Sequence, residues 1–283
     1  MVAPDLALAN ALMMPVLLHV GSVPIYSFGV LMSLAFLVAG CVMQSDFARK
    51  NEPRDLAWEI VGFGLVGGLL GARLHQALYH WTEFVADPFG YVTGRSGLVW
   101  YGGVLGGVVA TIWPIRRAPV SYASALDTGA LGLTIGLAIG RVGCHLSGDG
   151  DWGTPTSLPW GVAYSNGTAG WPYPPGIFVH PAALYEMVAL LGIFALLLHL
   201  RSRVAPAGAL FAIYVLLSAL TRLLVEVVRT NPPILLGLTE AQWTSIAVSA
   251  GAALWLWRGR ASARRFGGAA PRWVAGKRLP MKT

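Results

Sequence analysis

Seven apolar stretches, at about 24–44, 57–79, 98–115, 123–144, 181–200, 206–228 and 240–257, run through the chain with short polar connectors between them. Each approaches the roughly 20 residues that a helix needs to cross a bilayer. Hydrocarbon leaves no water to satisfy backbone N–H and C=O groups, so stretches of this length are read as helices. Two of the seven are short, which suits tilted or partly re-entrant helices. The architecture that follows is an all-α integral membrane protein of about seven transmembrane helices.

The charge content agrees. Only 12% of the 283 residues are charged, against about 25% in a soluble domain, and mean hydropathy is +0.60. A net charge of +7 would suit a nucleic-acid partner, but the basic residues lie between apolar runs and in the tail. That distribution speaks for a membrane and against nucleic acid. The two cysteines, Cys41 and Cys144, form no disulfide framework or paired metal motif. No basic residue precedes Arg49, so the N-terminus does not read as a secretory signal peptide.

Basic residues also set the orientation, because they concentrate on the inner side of a membrane. With the N-terminus outside, fifteen Lys and Arg fall in inside segments and only Arg95 and Arg229 in outside ones. Residues 1–22 are expected to form an amphipathic lead-in, and 23–258 the membrane domain. A small folded head of about 145–180, rich in Trp and Tyr, is expected over the outer face. The tail 259–283 is basic and rich in Gly and Ala, and is expected to be disordered or held to anionic lipid.

The fourth apolar run ends in Gly140-Arg141-Val142-Gly143-Cys144-His145, followed by Gly148-Asp149-Gly150-Asp151-Trp152-Gly153. A cation at the end of such a helix is costly to bury, which suggests a task. Arg141 can grip a phosphate with its guanidinium fork, or it can snorkel to water. Arg222 and Glu226 share a helix face four residues apart, and Arg229 follows. They form either a neutralising pair or an anion-binding arginine oriented by its carboxylate. Arg73 and Tyr101-Gly102-Gly103 lie near the outer ends of their spans. Arg73 is a ligand or a paired structural cation, and the glycines are a packing surface or a substrate contact. His180 and His145 can carry a proton near neutral pH, or simply cap helix ends. Asp149, Asp151 and His145 match no metal motif, and no P-loop, HExxH or dinucleotide fingerprint is present.

Taken in order, these pieces resemble the bacterial prolipoprotein diacylglyceryl transferase family. Gly140-Arg141-Val142-Gly143 with its downstream Gly-acid and Trp-Gly is similar to that family's signature Gly-Arg-Ile-Gly-Asn-Phe-Ile-Asn-Gly-Glu. The run from His180 to Glu186, that from Arg222 to Arg229, and Leu238 to Trp243 add to it. The resemblance implies transfer of the diacylglyceryl group of phosphatidylglycerol to the lipobox cysteine in a prolipoprotein signal peptide, releasing glycerol phosphate. It implies no metal and no cofactor, and a place in the bacterial inner membrane with the head and site toward the periplasm. Arg141 and Arg222 would hold the phosphate and Glu226 would orient Arg222. Tyr101 and His145 stand as further catalytic candidates. Arg73, Gly102, Gly103, Cys144, Gly153, His180 and Arg229 would line the substrate site.

The chain departs from that pattern at several positions. Tyr101 replaces the histidine of the family's His-Gly-Gly, Cys144 the signature asparagine, Phe28 a tyrosine and Ser218 another. The signature loop is one residue longer. The phosphate-binding half is kept and the proton-handling half altered. His145, four residues after Arg141, is the expected replacement base. A relative with a different acceptor, or a lipid-binding or transport protein that catalyses nothing, would carry the same arginines.

Overall fold

The computed structural model describes residues 13–93 and 99–265, and the short strands Trp273–Val274 and Lys277–Arg278. The first part of the lead-in, Arg95, Leu98 and most of the tail lie outside the described residues. The protein is mostly helical, with a helix at each of the seven apolar stretches. They are α1 (Ser27–Arg49), α2 (Leu56–Tyr79), α5 (Trp100–Arg117), α6 (Tyr122–Ser147), α7 (Ala182–Leu200), α8 (Ala209–Val225) and α9 (Glu240–Arg265). Two short helices, α3 (Trp81–Ala86) and α4 (Pro88–Thr93), follow α2. Five of the described helices, α1, α2, α6, α7 and α8, are long and apolar enough to cross a membrane. Helix α5 has 18 residues with Pro114 inside it, and α9 grows polar toward Arg265.

Two expectations change in detail. The fold is not purely α, because antiparallel hairpins occur between β1 (Val16–Val20) and β2 (Val23–Tyr26), and between β3 (Pro233–Leu235) and β4 (Leu238–Thr239). The lead-in therefore ends in a hairpin. Gly21, at φ +61°, permits the tight turn that a β-carbon would strain. At the other end, the helical backbone continues to Arg265, past the expected start of the tail at 259.

By its contacts the chain forms two compact units, 1–39 with 126–270 and 40–125 with 271–283. In the second unit α2 and α5 lie backbone to backbone. A β-carbon on Gly71 or Gly106 would collide with main-chain atoms of the facing helix, and one on Gly67 with the Gly106 carbonyl. Small residues permit this approach, which replaces hydrophobic burial as the source of adhesion between helices in lipid. Leu70, Leu74, Leu78, Leu105, Val108 and Val109 are exposed, as lipid-facing side chains are. At the other end of α2, Phe47 and Met43 pack on Leu56 and Ala57. Fully buried Asp46 there pairs with Arg49 (2.9 Å) and Lys50 (3.1 Å).

The first unit holds α6 to α9. Gly136 and Gly143 of α6 pack against α1, the latter on Leu31 and Phe28. Helix α8 packs on α7 and α9. Its first turn is capped from α6, because the Asp127 carboxylate accepts the Gly208 N–H (2.7 Å) and the Phe211 N–H (2.9 Å). A carboxylate at that end also meets the positive pole of the helix. Helix α8 closes in a 3-10 turn, Glu226–Val228, before Asn231-Pro232-Pro233 ends helical geometry.

Candidate anion-binding site

Three segments of the first unit bring arginines together. The C-terminal part of α6 carries Arg141, the last turns of α8 carry Arg222, and Arg229 follows the 3-10 turn. Asp151, Glu186 and Glu226 hold them in a closed ring. Arg141 pairs with Asp151, and its Nε meets Glu186 Oε2 at 2.5 Å. Arg222 donates to Glu186 Oε1 at 2.6 Å, and its other nitrogen lies 3.0 Å from Glu226 Oε2. Arg229 donates to Asp151 Oδ1 at 2.5 Å. Three cations thus face three anions, which is how such a charged group can sit among apolar helices.

Each acid has its own supports. Glu226 accepts from Asn231 (2.7 Å) and from the Thr239 hydroxyl (2.7 Å). Thr239 also starts α9 with a reciprocal cap. Its N–H donates to the Gln242 side-chain Oε1, and its hydroxyl accepts the Gln242 backbone N–H. The stretch from Leu238 to Trp243 therefore positions the carboxylate that holds Arg222. Burial works against charge on Asp151, but Arg229 and Arg141 outweigh it and keep this carboxyl below its usual range. The Arg229 side chain is only 7% exposed, and its Nε and Nη1 make no hydrogen bond. They face Glu226 Oε2 at 3.7 Å and Glu186 Oε1 at 3.9 Å, contacts that close the ring but are too long to saturate these donors.

Residues 148–181 fold over this ring. Trp152, Val162, Tyr164 and Val179 form a buried cluster with Met13, against which Trp171 and Tyr173 pack. Gly153 lies so close to the Val228 carbonyl and to His180 that no β-carbon fits. Its N–H bonds the His180 carbonyl (2.8 Å), and the Thr154 N–H bonds the Val228 carbonyl (2.7 Å). Gly153 and Thr154 thus tie the segment to the end of the 3-10 turn and to Arg229. The His180 ring is 3.1 Å from the Tyr185 hydroxyl, which also accepts the Trp160 indole N–H (2.9 Å). His145 is 5% exposed, and its Nδ1 lies 2.8 Å from the Tyr164 hydroxyl. The side chain expected as a base is therefore engaged in the packing of this segment.

Arg141, Cys144, His145, Gly153, His180, Arg222, Glu226 and Arg229 all fall in this unit. Arg73, Tyr101, Gly102 and Gly103 belong to the other, where Gly102 meets the α2 backbone and Tyr101 stacks edge-on with Trp100. Two residues of the ring were absent from the sequence-based site, Glu186 and Asp151. The available signal was charge balance, since three arginines in apolar surroundings require about three acids. Cys144 Sγ lies 3.9 Å from Arg141 Nη1. It and carboxylate oxygens of Asp149 and Asp151 lie within 4.8 Å of one another. Both Asp151 oxygens are taken by arginines, and those guanidinium groups repel a cation, so the cluster is poorly suited to a metal.

The chain is similar to known proteins over most of its length. The family model for prolipoprotein diacylglyceryl transferase matches residues 15–258. The chain is 31% identical over 263 residues to the phosphatidylglycerol–prolipoprotein diacylglyceryl transferase of Gloeobacter violaceus, covering 89% of this chain and 95% of that one. It is 30% identical to the protein of that name from Bordetella bronchiseptica (88% and 97% covered). With that of Acaryochloris marina the identity is 32% (82% and 85% covered).

Proposed function

The chain belongs to the prolipoprotein diacylglyceryl transferase family, and on that premise we propose that it transfers the diacylglyceryl group of phosphatidylglycerol to a cysteine thiol. The acceptor is the lipobox cysteine of a prolipoprotein signal peptide, and the products are a thioether and glycerol phosphate. The observation that carries this reading is the convergence of Arg141, Arg222 and Arg229, with Arg229 donors that make no hydrogen bond.

The chemistry follows from those donors. A thiolate attacks the glyceryl carbon, and negative charge builds on the departing phosphate. Fixed guanidinium groups stabilise that charge most where it develops, without having to reorganise. In the resting ring their charge is balanced by Asp151, Glu186 and Glu226, so a lipid phosphate enters by sharing donors with these carboxylates. Arg141 and Arg222 grip the phosphate, Glu226 orients Arg222, and Arg229 adds N–H groups that only long carboxylate contacts engage. The proposed setting is a multi-pass protein of the bacterial inner membrane with seven spans, α5 and α9 included. The ring and residues 148–181 then face the periplasm, where the acceptor is presented.

The test uses purified protein in phosphatidylglycerol vesicles with a lipobox peptide. Arg141→Ala and Arg222→Ala should each lower transfer by about 10²-fold or more, while the protein still inserts in membranes. Arg→Lys should also impair, because an ammonium cannot reproduce the fork. Near-normal lipidation by both Ala variants would remove the phosphate role.

A further inference from the structure

The lengthened loop after α6 carries two acids, and the ring uses only one of them. Asp151 binds Arg141 and Arg229. Asp149, two residues earlier, is exposed and makes no ion pair among the described residues. Gly148 (φ +58°) and Gly150 (φ +101°) on either side take left-handed backbone, so the loop can turn its two acids to different tasks. Asp149 Oδ1 accepts the Asp151 N–H at 3.2 Å, and its carboxylate interacts with the Cys144 thiol.

Asp149 also lines a cavity of about 420 Å³. Pro15, Tyr26, Phe28 and Gly29 supply its apolar wall, and Ser147 and Thr168 its other polar groups. That size lies in the range of small ligand sites, and the lining suits an apolar segment of peptide. The cavity has one carboxylate, and that carboxylate is joined through one residue to the acid that holds two arginines.

We propose that Asp149 takes the proton of the acceptor thiol, and that this cavity seats the acceptor cysteine. The assignment rests on the transferase reading above. In the step, the thiol S–H bond breaks and its proton passes to an Asp149 oxygen. The sulfur electron pair forms the new C–S bond to the glyceryl carbon. The C–O bond to phosphate breaks, its electrons stay on the phosphate oxygen, and glycerol phosphate leaves against the arginines. Asp149 then returns its proton to water.

Three features favour Asp149 over the other candidates. His145 is buried against Tyr164. Tyr101, where the resemblance would have a histidine, carries a phenol, which is a poor proton acceptor at neutral pH. Asp149, by contrast, keeps an exposed carboxylate on the cavity wall, engaged by the Asp151 N–H and the Cys144 thiol, where a substrate thiol can reach it. The ionisable groups facing Asp149 are Cys144 and Arg141 of α6, Asp151 of its own loop, Tyr164 of the 148–181 segment and Tyr26 across the cavity.

The test compares wild type with Asp149→Asn in phosphatidylglycerol vesicles, from pH 6 to 9, using a thiol lipobox peptide and its selenocysteine counterpart. The selenol is already ionised at neutral pH and needs no base. With the thiol peptide, Asp149→Asn should lower kcat by about 10²-fold at pH 6–7, leave KM for phosphatidylglycerol unchanged, and approach wild type toward pH 9. With the selenol the deficit should nearly vanish, and Asp149→Glu should recover part of the thiol rate. Equal thiol rates for wild type and Asp149→Asn across the range would overturn the assignment. So would an equal deficit with both peptides, which would mark a structural role. Should Asp149→Asn fail to fold, the thiol-to-selenol ratio of Asp149→Glu decides in the same way, and an unchanged ratio overturns the proposal. Absence of transfer by wild type would instead remove the transferase reading, and the base with it.

Discussion

Asp151 joins two guanidinium groups through one carboxylate, so the ring depends on its charge. Burial opposes that charge, but Arg229 and Arg141 depress its folded pKa. A depressed carboxyl contributes stability that is complete above its unfolded value, roughly pH 4, and is lost as pH falls through the folded value. Wild type should therefore lose thermal stability in detergent as pH drops from about 5 to 3. Asp151→Asn should start lower at pH 7 and show a flatter slope over that range. Parallel slopes would show that Asp151 is not the linked group. Arg141, Arg222 and Glu226 are legible in the sequence because ionised residues stand out in apolar runs and because i,i+4 spacing pairs two of them. Glu186 is not, because its partner Arg222 lies 36 residues away on another helix. Spacing along one element says nothing about such a contact. Asp151 is hidden for a related reason, since two acids in one loop cannot be told apart until the loop has folded.

At the scale of elements, apolar length locates all seven helices, because burial of a continuous apolar run is a property of the run itself. The hairpin β1–β2 escapes that signal. Its strands have five and four residues, and what organises them is the turn at Gly21. The pairing of α2 with α5 is half legible. Glycines at 67, 71, 102 and 106 announce a bare face, but only the fold says which bare face meets which. Here the collisions become measurable. A side chain at Gly71 would meet the Gly102 carbonyl and the Gly106 backbone, and main chain cannot swing aside as a side chain can. Gly71→Val should therefore destabilise by about 1–3 kcal/mol or more, read as a lower melting temperature in detergent. Gly62, on the same helix, has nothing within 4 Å of a built β-carbon. Gly62→Ala should be neutral or gain about 0.5–1 kcal/mol from restricted backbone freedom. Equal losses at both positions would mean that the α2–α5 backbone contact does not govern the effect.

For the whole molecule, a site for a phospholipid headgroup and a secreted acceptor has to lie on one side of the membrane, and basic residues carry that information. Fifteen Lys and Arg fall on one side of a seven-span arrangement and two on the other. Each inside cluster has its own place in the chain. Arg49 and Lys50 end α1 beside Asp46, Arg116 and Arg117 end α5, and Arg201 and Arg203 follow α7. Helices α1, α5 and α7 thus all end on the side expected to be inside, which requires α2, α6 and α8 to end outside. Helix α6 ends at Ser147 and α8 at Val225, so the proposed seven-span arrangement would carry Arg141, Arg222 and the ring to the outer side together. Five spans would break this alternation. If α5 does not cross, α6 starts outside and ends inside, opposite to α2, and the arginines after α5 would lie outside. A reporter inserted near Gly167 should therefore read as outside, and one fused after Arg265 as inside. An inside signal at Gly167 would place the arginine ring on the face that holds no secreted acceptor. The seven-span arrangement would then be wrong, and transfer to a lipobox cysteine would lose its setting.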